Sequence, residues 1–300
     1  MKVVKGLALS LLSFLLFLSL SLFGIALTLN NTILNPDFTI SEIDKLDVPS
    51  LAGEFFEEQA AGAIPEGLDF ITPETIRSII ADAEPWIEEQ TDIVVRNGYD
   101  YLLGKSESLS VTISTEPLLG ILKSNLWQAL LASPPPEAAG LSPAAFEEQF
   151  NVFFQEFSQQ LPSTFEFDKS SIPPEVLTQL EQARQYINYF QTGYKALIGF
   201  MALLLLGIIL IYHEVRGATR GLGITFLTYG AIEYGGILAA KHFALPQLPL
   251  SEIPPSLQPW LLQFFSDLLH PLEMFSIGLL IGGIVLLIVS FVYKPSQPSF

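Results

Sequence analysis

Glu233 is the residue of this chain whose position most favours chemistry, because it is an acid inside an apolar stretch. If a membrane helix begins near Leu222, Glu233 lies roughly 16 Å along it at about 1.5 Å per residue, within the hydrocarbon. An acid at that depth is protonated or partnered, and such acids often mark ion or proton paths. The alternative is a structural carboxylic acid that hydrogen-bonds Tyr229, Tyr234 or a neighbouring helix, and we favour this alternative.

The remaining polar residues predict neither an enzyme nor a cofactor. The chain has no cysteine, which removes thiol catalysis, disulfides and Cys-ligated zinc. His242 and His270, with the acids of the loop between them, are a conceivable zinc set, but their spacing does not resemble H-E-x-x-H. No phosphate-binding loop, dinucleotide fingerprint or calcium loop is present. We therefore predict no catalytic, metal or cofactor-binding residue.

The composition predicts a membrane protein. Half of the 300 residues are hydrophobic and only 15% are charged, against about 25% charged residues in an average soluble chain. Four stretches are long enough to cross a bilayer as helices. They run over about 6–29, 196–212, 222–240 and 274–293.

The basic residues predict the orientation of these spans, because Lys and Arg are retained on the cytoplasmic side. Five of the seven basic residues near the spans fall on one side, and Lys195 and Lys241 fall on the other. We therefore expect both termini in the cytoplasm and segment 30–194 outside it. The first span, 1–29, is expected to stay as an anchor, although Gly24 and Ala26 would also suit signal-peptide cleavage. The five on the majority side are Lys2, Lys5, Arg216, Arg220 and Lys294.

The outer segment 30–194 carries the acidic charge of the protein, with 26 Asp and Glu residues against 7 Lys and Arg. An acidic surface repels phosphate, so a nucleic-acid partner is disfavoured. Its length suits one compact domain. Three proline-containing helix starts, near Thr72, Ser142 and Pro174, predict that this domain is mainly helical.

Two short alternating stretches inside the outer segment predict a minor β ribbon. Leu109, Val111 and Ile113 alternate in one stretch, and Phe165 and Phe167 alternate in the other. The helix that starts near Pro174 meets no proline before the second span, so we expect it to continue into that span.

Small residues in the last two spans predict helix contacts, either within the chain or with a second copy. The candidate packing residues are Gly235, Gly236, Gly278 and Gly282. Between these spans, the apolar segment near 256–270 begins at Trp260 and is too short to cross a bilayer, so it predicts a helix in the membrane interface.

The runs Trp86–Gln90, Tyr101–Ser106, Leu109–Ile113 and Leu122–Leu126 resemble segments of uncharacterised prokaryotic multi-span membrane proteins. Those proteins carry a large extracytoplasmic domain between their first two spans. The resemblance covers about a third of the chain and implies no activity and no site residues.

Together these patterns predict a mainly α protein: a four-helix transmembrane bundle with a helical extracytoplasmic domain that carries a two-stranded ribbon. The domains are expected at 1–29, 30–194 and 195–300. The predicted function is non-enzymatic: the outer domain binds or scaffolds a membrane or cell-surface partner, or a second copy, beside the lipid bilayer. The alternative is a transporter or channel subunit that uses Glu233. A hydrolase is disfavoured because no nucleophile and base pair stands out.

Overall fold

The computed structural model describes residues 2–46, 72–135, 141–251 and 253–293. The chain divides into two compact units. The first unit comprises Met1–Thr39 and Ala183–Phe300, and the second comprises Ile40–Gln182. The described residues are mainly helical, with one small antiparallel sheet, as the sequence predicts.

Among the described residues, four helices are long and apolar enough to cross a membrane, as the four predicted stretches require. They are α1 (Lys2–Asn31), α6 (Pro174–Tyr212), α7 (Val215–Ala239) and α8 (Leu257–Val292). A π-helical segment, Ala240–Ala244, and a 3-10 turn, Leu245–Gln247, follow α7.

Side chains from all four of these helices contribute to the core of the first unit, the fully buried ones coming from α1, α6 and α7. Leu16 and Leu20 of α1 are almost fully buried, and the partly buried Phe275 of α8 packs against the core. Helix association in a bilayer depends on such close packing rather than on the hydrophobic effect, because lipid is as apolar as leucine. The other buried members are Leu204, Ile208, Leu222 and Tyr229.

The second unit is built mainly from three helices: α3 (Pro73–Leu102), α4 (Glu116–Ala132) and α5 (Pro143–Gln159). The short α2 (Pro36–Asp44) precedes them. The Thr72 side chain accepts a hydrogen bond from the Thr75 amide, and the Ser142 side chain accepts one from the Ala145 amide. The predicted helix starts are therefore confirmed, since these side chains satisfy amides that the first turn leaves open.

The predicted ribbon is also confirmed. Strand β1 (Ser110–Ser114) pairs antiparallel with β2 (Thr164–Asp168), with Val111 opposite Phe167 and Ile113 opposite Phe165. The four apolar side chains share one face of the ribbon because neighbouring residues of a strand point to opposite faces.

Aromatic residues form the core of the second unit together with leucines of α4. Phe150 and Phe154 are buried beside Leu126 and Leu130. The phenylalanine run of α5 covers more than this buried face and leaves Phe153 45% exposed.

The unit boundaries differ from the predicted domain limits at 29/30 and 194/195. They fall at 39/40 and 182/183 because residues on both sides of the predicted limits pack within the first unit. Tyr194 stacks on Phe23 at 5.6 Å between ring centroids, and Phe38 lies 6.0 Å from Phe264. The continuation of α6 from Pro174 to Tyr212 is confirmed.

The helix predicted near 256–270 is not a separate element. It forms the first part of α8, which runs unbroken from Leu257 to Val292 with Pro271 inside it. A proline removes one backbone hydrogen bond from a helix interior. Here that loss does not end the helix, because apolar helix-forming residues continue on both sides of Pro271.

Candidate functional site

Tyr229 and Glu233 lie one turn apart on α7, and Tyr229 faces the core of the first unit. Tyr229 is 2% exposed, and its ring packs edge-on against Phe17 at 5.3 Å and Phe275 at 6.4 Å. The side chains of Glu233 and Ser21 lie beside its hydroxyl. Neither forms a hydrogen bond of standard geometry with it, so the hydroxyl has no such partner among the described residues.

Close packing surrounds this hydroxyl. A Cβ atom built on Gly24 of α1 would lie 3.2 Å from the Tyr229 hydroxyl and 2.8 Å from the Leu272 side chain. A larger residue at position 24 would therefore displace the Leu272 side chain at the contact of α1 with α7 and α8. The Glu233 carboxyl and the hydroxyls of Ser21 and Tyr229 could share hydrogen bonds between α1 and α7 at this contact.

Tyr234 is the third predicted member of this polar site. Its side chain is half-buried and makes no hydrogen bond within the described ranges.

Among the described residues, the four predicted packing glycines do not lie at helix contacts. A Cβ atom built on Gly235, Gly236, Gly278 or Gly282 would meet nothing within 4 Å. Contact through these residues with a second copy stays a prediction.

The actual contact between α7 and α8 uses other small residues. A Cβ atom on Gly230 would lie 2.8 Å from the Ser276 carbonyl oxygen, and one on Gly283 would lie 2.8 Å from the Leu227 amide nitrogen. Ser276 and Ser290 are buried on the same face of α8. The signal that sequence reasoning missed is a seven-residue spacing, which places Ser276, Gly283 and Ser290 on one side of a helix.

An ion pair that the sequence did not predict joins the π-helical segment to α8. Lys241 Nζ lies 2.5 Å from Glu273 Oε2, and the two side chains are 21% and 20% exposed. Partial burial makes this pair stronger than a surface ion pair, because fewer water molecules compete for the two charges.

The second unit contains a groove between α4 and α5 that is open to solvent. Its volume, including the open mouth, is about 510 Å³. Gly120, Lys123, Ser124 and Trp127 line it from α4, and Glu147, Phe150 and Asn151 line it from α5. The Trp127 ring lies 5.0 Å from the Phe150 ring and 5.4 Å from the Phe146 ring, so the indole is held in place by the core.

The polar side chains of this groove are exposed and have no internal partner. Lys123, Ser124, Glu147 and Asn151 make no side-chain hydrogen bond or ion pair within the part of the chain that the structure describes. Of these four residues, only Lys123 makes a contact within the described ranges: its Nζ atom lies 6.0 Å from the centre of the Phe154 ring. The groove therefore combines four exposed polar side chains with an aromatic surface, the two kinds of group that ligand sites commonly use.

The sequence did not predict the groove, because Glu147 belongs to a pair of adjacent acidic residues typical of a solvated helix face and Phe150 is typical of a core, where it is indeed buried at 5% exposed. The available signal was Gly120 and Ser124, two small residues one turn apart on a helix that otherwise packs on phenylalanines.

The histidines do not form a metal centre within the described ranges, where no group of three or more His, Cys, Asp or Glu side chains could hold a metal ion. No protein-family model, no curated protein and no solved structure matches this chain. The resemblance to prokaryotic membrane proteins with a large outer domain therefore stays a prediction.

Proposed function

We propose that this chain is a non-enzymatic integral membrane protein whose acidic helical domain lies outside the cytoplasm and binds a partner at the cell surface. The observation that carries the proposal is the groove between α4 and α5. Its four polar side chains are exposed and unpaired, and they surround a tryptophan that the core fixes in place. These side chains offer hydrogen-bond donors and acceptors beside an aromatic surface.

The four apolar helices support the membrane part of the proposal, since each is long enough to cross a bilayer. The burial of Leu16 and Leu20 supports an uncleaved first span, because removal of α1 would take both side chains out of the core. The one-sided placement of five basic residues supports cytoplasmic termini. A second copy that contacts the open glycine face of α7 or α8 remains compatible with this arrangement.

A transporter or channel subunit is the second candidate, and the buried Tyr229 hydroxyl beside Glu233 is the observation that favours it. An intramembrane acid next to an unsatisfied hydroxyl is a feature of some ion and proton paths. The close approach at Gly24 argues against a path at this point, because the space beside the hydroxyl is already filled.

Protection of the groove from chemical labelling tests the binding proposal without knowledge of the partner. The chain has no cysteine, so Ser124→Cys introduces a single reactive thiol in the groove. We expect a membrane-impermeant maleimide to label this thiol several-fold more slowly in native cell envelopes than in the purified full chain. Ser108→Cys is the matched control, since Ser108 is exposed and lies outside the groove. Equal rates at position 124 in the two preparations would contradict binding in the groove.

A further inference from the structure

The groove between α4 and α5 also indicates what class of ligand it takes. Resting on the proposed function, we propose that this ligand is a neutral saccharide, and that Trp127 is the surface on which one sugar ring lies.

The indole of Trp127 is the main solvent-accessible apolar surface in the lining of the groove. Its indole is half-buried, and Phe146 and Phe150 hold it from within the core. Phe150, the other aromatic residue of the lining, is 5% exposed and contributes little surface. One accessible aromatic ring suits the apolar C–H face of a single pyranose better than it suits an amphipathic helix, which needs a row of apolar contacts.

The polar groups around Trp127 provide donors and acceptors in balance. Lys123 donates and Glu147 accepts, while Ser124 and Asn151 each do both. Sugar hydroxyls also donate and accept, so every one of these groups finds a complement on a saccharide. The single positive and single negative charge of the lining leave the groove without net charge, which favours a neutral ligand over a phosphate or a cation.

Gly120 belongs to the lining of the groove. A Cβ atom at this position would meet nothing within 4 Å, so there is room here for a larger side chain that would compete with a ligand for the groove. The free space of about 510 Å³ includes the open mouth of the groove, so a sugar bound on Trp127 would stay partly exposed to solvent.

Direct binding of disaccharides to the full chain tests the proposal. The protein is placed in lipid nanodiscs, because maltoside detergents would themselves supply a sugar. The probes are maltose, cellobiose, lactose, mannobiose and chitobiose, and binding is measured by saturation-transfer NMR of the sugar protons. We expect at least one disaccharide to bind, and we expect Gly120→Leu to weaken that binding by about tenfold or more because its side chain fills the groove.

Gly98→Leu is the matched control, since Gly98 is also a helical glycine with nothing within 4 Å of an added Cβ and lies outside the groove. It should bind the sugar as the parent protein does. Trp127→Phe, which retains apolar packing, should weaken binding, and Asn151→Ala should weaken it without lowering thermal stability. Binding that Gly120→Leu and Gly98→Leu affect equally, or no binding by any of the five disaccharides, would overturn the saccharide proposal.

The failure of this proposal is distinguishable from failure of the proposed function. If the thiol at position 124 is protected in native envelopes but no disaccharide binds, the groove has a ligand of another class. If protease treatment of the envelopes removes the protection and glycosidase treatment does not, that ligand is a protein and the saccharide proposal is wrong. If the thiol is never protected, the proposed function itself fails.

Discussion

Gly223 of α7 and Gly283 of α8 lie so close that a Cβ atom built on Gly223 would be 3.0 Å from the Gly283 carbonyl oxygen. The contact between α7 and α8 continues at Gly230, where a built Cβ atom would lie 2.8 Å from the Ser276 carbonyl oxygen. Backbone-to-backbone contact of this kind holds membrane helices together through dispersion, and only the smallest residues allow it.

Gly230→Ala should therefore destabilise the helix pair, because its Cβ atom would collide with a backbone oxygen that cannot move away without shifting α8. Overpacking of this kind costs about 1–3 kcal/mol. Gly278→Ala is the control: its Cβ atom meets open space, and alanine is favoured over glycine in a helix by about 1 kcal/mol. Thermal unfolding of the two purified variants checks this prediction, and equal losses of stability would contradict it.

Glu233→Gln should leave the protein folded, since the amide keeps the shape and most of the hydrogen-bonding capacity of the acid beside Tyr229. Glu233→Leu should lower thermal stability, because it removes the polar group beside the buried Tyr229 hydroxyl, and an unsatisfied buried polar group costs about 1–3 kcal/mol. Unfolding of both variants in detergent measures the difference. Loss of an ion or proton flux in the Gln variant, at unchanged stability, would instead support the transporter alternative.

The pair formed by Lys241 and Glu273 should couple the end of α7 to α8. Replacement of either residue alone, by Met or Gln respectively, should cost about 1 to 3 kcal/mol, because it leaves one partly buried charge unpaired. The double variant should recover part of that loss. A double-mutant cycle on the free energy of unfolding measures the coupling, and strictly additive losses would show that the pair contributes nothing.

The turn after β2 should depend on pH through Asp168. Hydrogen bonds from the side chains of Ser170 and Ser171, together with the backbone amide of Ser171, hold the pKa of Asp168 below its ordinary value of 3.8. The unfolded chain therefore binds this proton more readily than the folded one. The hydrogen bonds to the Asp168 carboxylate therefore contribute fully to the stability of the folded protein above about pH 4. This contribution is lost as the pH falls through the lowered pKa of Asp168.

Amide hydrogen exchange at Ser170 and Ser171 checks this prediction. In the parent protein the protection of these amides should decrease as the pH falls below about 4. Asp168→Asn has no charge to lose in this range, so its protection should not change with pH. The same pH dependence in both proteins would exclude Asp168 as the cause.

The local elements of this fold are readable from the sequence because short-range patterns determine them. Val111 and Phe167 are paired as their alternation predicts, and Thr72 and Ser142 cap the helices they precede. Each of these features depends on residues within a few positions along the chain.

The contacts between helices were not predictable in the same way. Gly230 and Gly235 look alike in sequence, yet only Gly230 meets another helix, and the choice depends on how α7 is rotated against α8. The groove likewise depends on which residues of α4 face α5. The continuity of α8 through Pro271 could not be read locally either, because a proline ends some helices and is tolerated within others.

The groove between α4 and α5 is proposed to lie outside the cytoplasm, and single cysteines in intact cells test this location most directly. A membrane-impermeant maleimide should label Ser106→Cys and Ser124→Cys without permeabilisation, with Ser124→Cys the slower where a partner protects the groove. It should label Ser296→Cys only after the membrane is opened. Labelling of Ser296→Cys alone in intact cells would place the acidic domain in the cytoplasm and contradict the account.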